Sequence, residues 1–245
     1  MRIRYGLLFL LCFNLSFAQN HRTIAHHQHL WLVYNGIFRL NDKFNLLTEY
    51  QWRRVGYGAT WQQSLPRIGI EFKTKAGINF AGGYALPTTY PYGEQPVVAV
   101  FNEHRAWEQV SMGHTNGKFK FNHRYRFEQR WLEVKTPDPA GNYVFLKYTY
   151  LNRIRYRVMI TYSIRKYEGS GNELLFMISD EAFINFGKNV ARNIFDQNRV
   201  YAGLGFAFSE KYTASLGYLN QFIIKPDAVR CENNHTLQVG ITFNL

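Results

Sequence analysis

Cysteine is scarce in this chain: 245 residues hold two, Cys12 and Cys231. Two cannot staple a chain of this size, which excludes a disulfide scaffold. Proline is also sparse, at seven, while apolar residues make up 46%, and that combination excludes a disordered or collagen-like chain. After the first 18 residues no apolar run approaches the roughly 18–20 residues that a membrane-crossing helix needs. No phosphate-binding glycine loop occurs, since Gly203-Leu204-Gly205 lies in a strand pattern and not ahead of a helix. Acid is short relative to base, with 17 Asp and Glu against 29 Lys and Arg, for a net charge of +12. What is abundant is aromatic side chain, 17% of the residues.

Residues 1–18 read as a secretory signal peptide. Arg2 and Arg4 supply the positive start, Leu7 to Phe13 the apolar stretch, and Ser16-Phe17-Ala18 the small residues of a cleavage site before Gln19. Cys12 lies inside the apolar stretch with no lipidation pattern after it, so the mature chain keeps one cysteine and forms no internal disulfide. Removing Arg2 and Arg4 leaves 27 basic against 17 acidic residues, or +10. Residues 19–245 read as one domain, without linker or low-complexity stretch.

Period two dominates that domain. Leu237, Val239, Ile241, Phe243 and Leu245 share one face, against Thr236, Gln238, Gly240, Thr242 and Asn244. Val200, Ala202, Leu204, Phe206 and Phe208 oppose Arg199, Tyr201, Gly203, Gly205 and Ala207. Phe119, Phe121, His123, Tyr125, Phe127 and Trp131 oppose Lys118, Lys120, Asn122, Arg124, Arg126, Glu128 and Arg130. A helix scatters such a pattern around its 3.6-residue turn, and no convincing helix remains. A soluble barrel or sandwich turns its apolar face inward, and a membrane barrel turns it outward to lipid. The polar face here carries clustered arginines and glycines, and aromatics gather near the strand ends, as interfacial girdles do. The expected fold is therefore all-β: a closed antiparallel transmembrane β-barrel in a Gram-negative outer membrane, reached after cleavage of the signal peptide. Only closure spares a sheet unpaired edges in lipid.

Eleven strands are evident, at roughly 29–40, 44–53, 65–73, 78–86, 102–110, 118–133, 148–163, 173–186, 197–208, 212–223 and 235–245. Short turns near 41–43, 74–77, 115–117 and 209–211 alternate with longer connections near 54–64, 87–101, 134–147, 187–196 and 225–234, as periplasmic turns alternate with external loops. Bacterial barrels carry even strand numbers. That rule predicts a short extra strand within 19–28 and about 12 strands in all, with 10 as the fallback.

Several stretches resemble a family of Gram-negative outer-membrane proteins catalogued as a domain of unknown function, number 2490. They are Leu65-Pro66-Arg67-Ile68-Gly69, Glu103 to Gln109 (EHRAWEQ), Phe121 to Arg130 (FNHRYRFEQR), Leu151 to Arg157 (LNRIRYR), Asp180 to Gly187 (DEAFINFG), Phe195 to Gly203 (FDQNRVYAG) and Gly217 to Gln221 (GYLNQ). The resemblance covers most of the mature chain. It implies an outer-membrane barrel and no assigned activity. Many such barrels end in phenylalanine, which the barrel-assembly machinery reads; this chain ends in Leu245, with Phe243 two before it.

Strand parity sends ten arginines inward: Arg53, Arg67, Arg105, Arg124, Arg126, Arg130, Arg153, Arg155, Arg157 and Arg199. Five acids follow by the same parity: Glu49, Glu71, Glu103, Glu128 and Glu181. Ten against five leaves five positive charges in excess. One reading is a salt-bridge network that plugs a narrow barrel. The other is a lumen that binds or passes small anionic solutes, physically akin to that of small porins for acidic oligosaccharides. A lipid-modifying enzyme built on His123, with Ser111, Asn122 or Ser163, is a further class, but no spacing defines a nucleophile–base pair. A scaffold that serves an assembly partner is another. His21, His26, His27 and His29, with Cys231 and His235, match no metal-site spacing, and no cofactor motif is present. Tyr90-Pro91-Tyr92-Gly93 reads as a turn-forming loop, with a surface contact as the alternative. The inward arginines argue against nucleic acid, and a monomer in contact with outer-membrane lipid is expected. If the leader reading is right, N-terminal sequencing of the exported protein begins at Gln19; a start at Met1 overturns it.

Overall fold

A computed structural model describes residues 22–245; the expected signal peptide, with Cys12 and His21, lies outside the described residues. The strands are β1 (Thr23–Arg39), β2 (Phe44–Val55), β3 (Thr60–Lys73), β4 (Ile78–Ala85), β5 (Thr88–Thr89), β6 (Phe101–Asn116), β7 (Phe119–Pro137), β8 (Tyr143–Tyr167), β9 (Asn172–Phe186), β10 (Phe195–Phe208), β11 (Tyr212–Ile224) and β12 (Arg230–Asn244). One short 3-10 turn, Gly56–Gly58, joins β2 to β3. No described helix is long and apolar enough to cross a membrane.

Neighbouring strands pair in order around a ring. β1 meets β2, β2 meets β3, and so on to β12, with the two-residue β5 bridging β3 and β6 beyond the end of β4. β12 then pairs with β1, which closes the barrel. The ring therefore has eleven strands with β5 as a short supplement, in place of the expected twelve or ten. Residues Thr23 to Gln28 do not form a separate strand; they are the start of β1. An odd ring cannot alternate throughout, so one pair must run parallel. That pair is β1 with β12, from Thr23 opposite Arg230 to Ile37 opposite Asn244. Every other adjacent pair is antiparallel. The even-number rule is a regularity of assembly and not a requirement of hydrogen bonding, and odd membrane barrels are known.

The turns sort to two ends. At one end the connections span 40–43, 74–77, 117–118, 168–171 and 209–211, and the chain ends there at Leu245. At the other lie 56–59, 90–100, 138–142, 187–194 and 225–229, together with Arg22. These are called below the short-turn and long-loop ends. The connection expected at 134–147 is mostly strand: β7 and β8 run on as a hairpin that tightens to 138–142, and its β8 side exposes Tyr143, Val144, Phe145 and Leu146.

Alternation sets what each face holds. Outward positions are apolar and open to the surroundings, as with Ile68 (52% exposed), Leu204 (52%) and Leu216 (55%). Inward positions hold the polar side chains, and Glu128, Asn234 and Thr236 are wholly buried. This inverts the partition of a protein folded in water and suits a hydrocarbon surround. Rings collect near both ends of the outer face. Tyr218, His235 and His26 lie toward the long loops, and Tyr34, Tyr212 and Phe243 toward the short turns.

Two cross-strand glycine pairs make room inside. Gly69 faces Gly83 and Gly203 faces Gly217. The Trp107 ring lies over the first pair and the Tyr201 ring over the second, each in the space a Cβ would take. Bulky inward rings thus fit a ring of eleven strands without widening it.

The parallel closure can be tested by a cross-link. Leu30 and Leu237 are paired across it. With Cys231→Ser as background, Leu30→Cys plus Leu237→Cys is expected to form an intramolecular disulfide on mild oxidation, seen as a mobility shift of the unfolded chain. A twelfth strand inserted at that seam would part the two by about 10 Å and prevent the bond.

Candidate functional site

The inward parity gathers charge that the ring encloses. Glu128, on β7, is the centre. Its Oε2 accepts from Arg153 Nη2 at 2.6 Å and Nε at 2.9 Å, and its Oε1 from Arg155 Nη1 at 2.7 Å. Arg105 Nη1 stands 3.5 Å and Arg67 Nη2 4.0 Å from the same Oε1. Around this knot Glu103 accepts from Arg105 Nε at 2.7 Å and Arg130 Nε at 2.8 Å. Glu181 accepts from Arg155 Nη2 at 2.8 Å and Arg124 Nη2 at 2.6 Å. Glu49 accepts from Arg67 Nη1 at 2.5 Å. Asp196, absent from the expected acids, accepts from Arg153 Nη1 at 2.8 Å. Glu71 takes the Asn45 amide at 2.9 Å and no arginine.

Six of the ten arginines thus hold a carboxylate: Arg67, Arg105, Arg124, Arg130, Arg153 and Arg155. The other four have none among the described residues. Arg53 binds Gln63 at 2.7 Å and Gln51, and lies 4.0 Å over the Trp31 ring. Arg126 binds only Gln109 Oε1, at 2.6 Å from Nη2, and its buried Nη1 has no partner. Arg157 reaches Asn122 at 3.3 Å, with its Nε unpartnered. Arg199 lies over Trp31 and Phe183, at 5.2 and 4.8 Å, and among the described residues its buried Nε has no partner. With Asp196 counted, and Glu232 set against Lys225, ten arginines face six carboxylates, an excess of four.

Two cavities flank the knot. The larger, about 450 Å³, occupies the short-turn half and is bordered by Arg67, Arg124, Arg126, Arg155, Arg157 and Arg199, with Glu49, Glu71 and Glu181. The smaller, about 210 Å³, occupies the long-loop half and is bordered by Arg53, Arg105, Arg130 and Arg153, with Glu103. Gln51, Arg67, Arg155 and Arg199 border both, so they form the waist between them.

The stretch expected as a turn-forming loop folds inward. Tyr92 drops into the long-loop mouth, where its hydroxyl donates to Glu232 Oε2 at 2.7 Å. Burial and that carboxylate push its pKa well above the usual value, so it stays a donor. The Glu94 amide donates to His27 Nε2 at 3.3 Å, and His27 Nδ1 meets Asn234 Oδ1 at 3.1 Å. His29 is wholly buried beside Tyr92 with neither ring nitrogen partnered. Nothing in a Tyr-Pro-Tyr-Gly stretch signals an inward fold; the nearest hint was the inward parity of Glu232 and Asn234, which needed a donor from somewhere. In the connection at 225–229, Asp227 is exposed, and the Arg230 amide and guanidinium hold its carboxyl down to about 2.

The remaining candidates are not brought together. His123 is on the outer face, its Nδ1 2.8 Å from the Tyr156 hydroxyl, while Ser111 and Asn122 border the inner cavity across the wall. Ser163 sits at the short-turn rim. His26 and His235 stack outside, whereas His27 and His29 point in. Among the described residues no three His, Cys, Asp or Glu side chains could hold a metal ion.

A family model described as "Protein of unknown function (DUF2490)" matches residues 28–231. Among curated proteins nothing matches. The fold is similar to the β domain of the Bordetella autotransporter BrkA, with a TM-score of 0.44 and 10% identity over 76% of this chain and 80% of that one. It is similar also to the NanC porin, with a TM-score of 0.46 and 12% identity over 86% and 91%.

The knot yields a stability test. Glu128→Gln leaves buried guanidiniums without their shared counter-charge and is expected to cost about 3–5 kcal/mol, read as a lowered urea midpoint. Glu71→Gln, whose partner is an amide, is expected to cost about 1 kcal/mol or less. Equal midpoints for the two variants would show that the knot does not hold the barrel together.

Proposed function

The chain belongs to the DUF2490 family, and from that premise we propose that it is an outer-membrane barrel that binds small anionic solutes within its interior. The apolar exterior supports the membrane placement, and the signal-like leader supports export to it. One observation carries the binding reading. Arg126, Arg157 and Arg199 border the 450 Å³ cavity without a carboxylate among them. A barrel that only needed filling would match each inward charge, because a buried unpaired charge is costly. Three unmatched guanidiniums facing one space are a site for an anion's charge, and arginine's planar fork suits carboxylate and phosphate oxygens.

The cavity's volume falls within the range of small-molecule sites. Its place in the short-turn half gives the solute access from that end. If C-terminus and short turns are periplasmic, as in other bacterial barrels, that access is from the periplasm. The knot at the waist makes any passage narrow, so residence in the cavity precedes transfer past Arg155 and Arg199. A lipid-acting enzyme has less support, because His123 faces outward without an acid or nucleophile beside it.

Single-channel recording in planar bilayers tests the reading, paired with calorimetry using glucuronate. Anion-selective current, or saturable glucuronate binding by a silent barrel, is expected. The triple variant Arg126→Gln, Arg157→Gln, Arg199→Gln is expected to weaken either by about tenfold or more. A correctly folded, heat-modifiable barrel that neither conducts anions nor binds any small carboxylate would overturn the proposal.

A further inference from the structure

The cavity in the short-turn half has two unlike walls. Its basic side is Arg124 and Arg126 on β7 with Arg157 on β8. Counting round the ring, β7 lies five steps from β1 in one direction and six in the other, which is directly across. On that far side stand Trp31 and Val33 on β1, and with Leu219 on β11, Tyr201 on β10 and Met177 on β9 they form an apolar cluster that runs round the wall from β1 toward β8. All five border the same cavity. The β1 and β11 part of the cluster, Trp31, Val33 and Leu219, faces the arginines of β7 and β8 across the cavity.

A site for phosphate, or for a sugar acid with hydroxyls all round, gains nothing from an apolar wall. Water or hydroxyl groups set against the side chains of Val33 and Leu219 find no hydrogen-bond partners on them, while an apolar body removes that surface from water. The charged end needs the opposite surroundings, and Arg126 Nη1 and Arg157 Nε offer unpartnered N–H groups on the other side. We infer that the cavity takes an amphipathic anion: a carboxylate carried on an aromatic or short aliphatic body, with the carboxylate on Arg126 and Arg157 and the body against Trp31 and Leu219. The inference rests on the anion-binding reading above and narrows it to one class. Arg199 joins the two walls, since its guanidinium lies over the Trp31 ring and so presents charge at the edge of the apolar side.

The test is calorimetry on the full mature barrel in lipid nanodiscs, with empty nanodiscs as the control for partitioning. The probes are 3-phenylpropionate, propionate, glucuronate and the neutral 3-phenylpropanamide. Phenylpropionate is expected to bind about tenfold or more tighter than propionate or glucuronate, because its ring is buried as well as its charge neutralised. The amide is expected to bind at least tenfold more weakly than phenylpropionate. Arg126→Gln should weaken both carboxylates together. Leu219→Asn should remove the advantage of phenylpropionate and leave glucuronate as it was, and Val33→Asn serves as the second variant should Leu219→Asn fail to fold. If glucuronate and propionate bind as tightly as phenylpropionate, the anion reading stands and the amphipathic inference falls. If no carboxylate binds, both fall. If the amide binds as well as the acid, the site is apolar alone and the inference is overturned.

Discussion

The structure depends on closure. A sheet whose outer face is apolar cannot end in an open edge in hydrocarbon, because no water is there to satisfy the unpaired N–H and C=O groups. In the outer-membrane setting proposed above, the last strand must therefore find the first. Here β12 reaches β1 along fifteen paired residues, from Thr23 and Arg230 to Ile37 and Asn244, and that seam substitutes for the missing twelfth strand. The cost is a parallel pair, somewhat weaker per residue than an antiparallel one. A parallel seam needs no tight turn, since it joins strands from the two ends of the chain. It also places Arg22 at the long-loop end and Leu245 at the other.

Once the ring closes, its interior is a volume of fixed size. The same alternation that puts Ile68 and Leu216 outside puts arginine after arginine inside, and enclosed charges must be met where they stand. Glu128 meets Arg153 and Arg155 directly and stands within 4.0 Å of Arg67 and Arg105. Such sharing works because each carboxylate has about four lone-pair sites and each guanidinium five donors. The glycine pairs are the steric counterpart: Trp107 and Tyr201 lie flat only where Gly83 and Gly217 leave the wall bare.

Much of this is legible in the chain, for a definite reason. Period two assigns every residue of a strand to a face once one residue is assigned, so Arg124, Arg126 and Arg130, or Arg153, Arg155 and Arg157, share a side whatever the partner strands are. Face assignment is local. Strand count is not: it depends on which strand β1 meets, a pairing more than 200 residues apart in sequence, and a rule of even numbers replaced physics with habit. The same limit hid Tyr92, whose partner Glu232 is 140 residues away, and Asp196, which a register shift between Phe195 and Gln197 turns inward against the parity that Arg199 sets. Pro137, Asp138 and Pro139 interrupt the strand pattern within 134–147, yet the turn they make is tight and the strands run to its edge.

The division of the interior follows from where the carboxylates fall. Glu103, Glu128 and Asp196 serve Arg105, Arg130 and Arg153, so most of the pairing is spent at the waist and above it, toward the long loops. Below the waist Glu181 and Glu49 already hold Arg124, Arg155 and Arg67, and Glu71 is turned to Asn45. Arg126 and Arg157 are left facing the cavity with amides for company. A closed ring of β-strands cannot relax inward to fill that gap, because its radius is set by strand number and stagger. The space therefore persists, charged on the side of β7 and β8 and apolar on the side of β1 and β11, and the geometry of closure is what keeps the two sides apart.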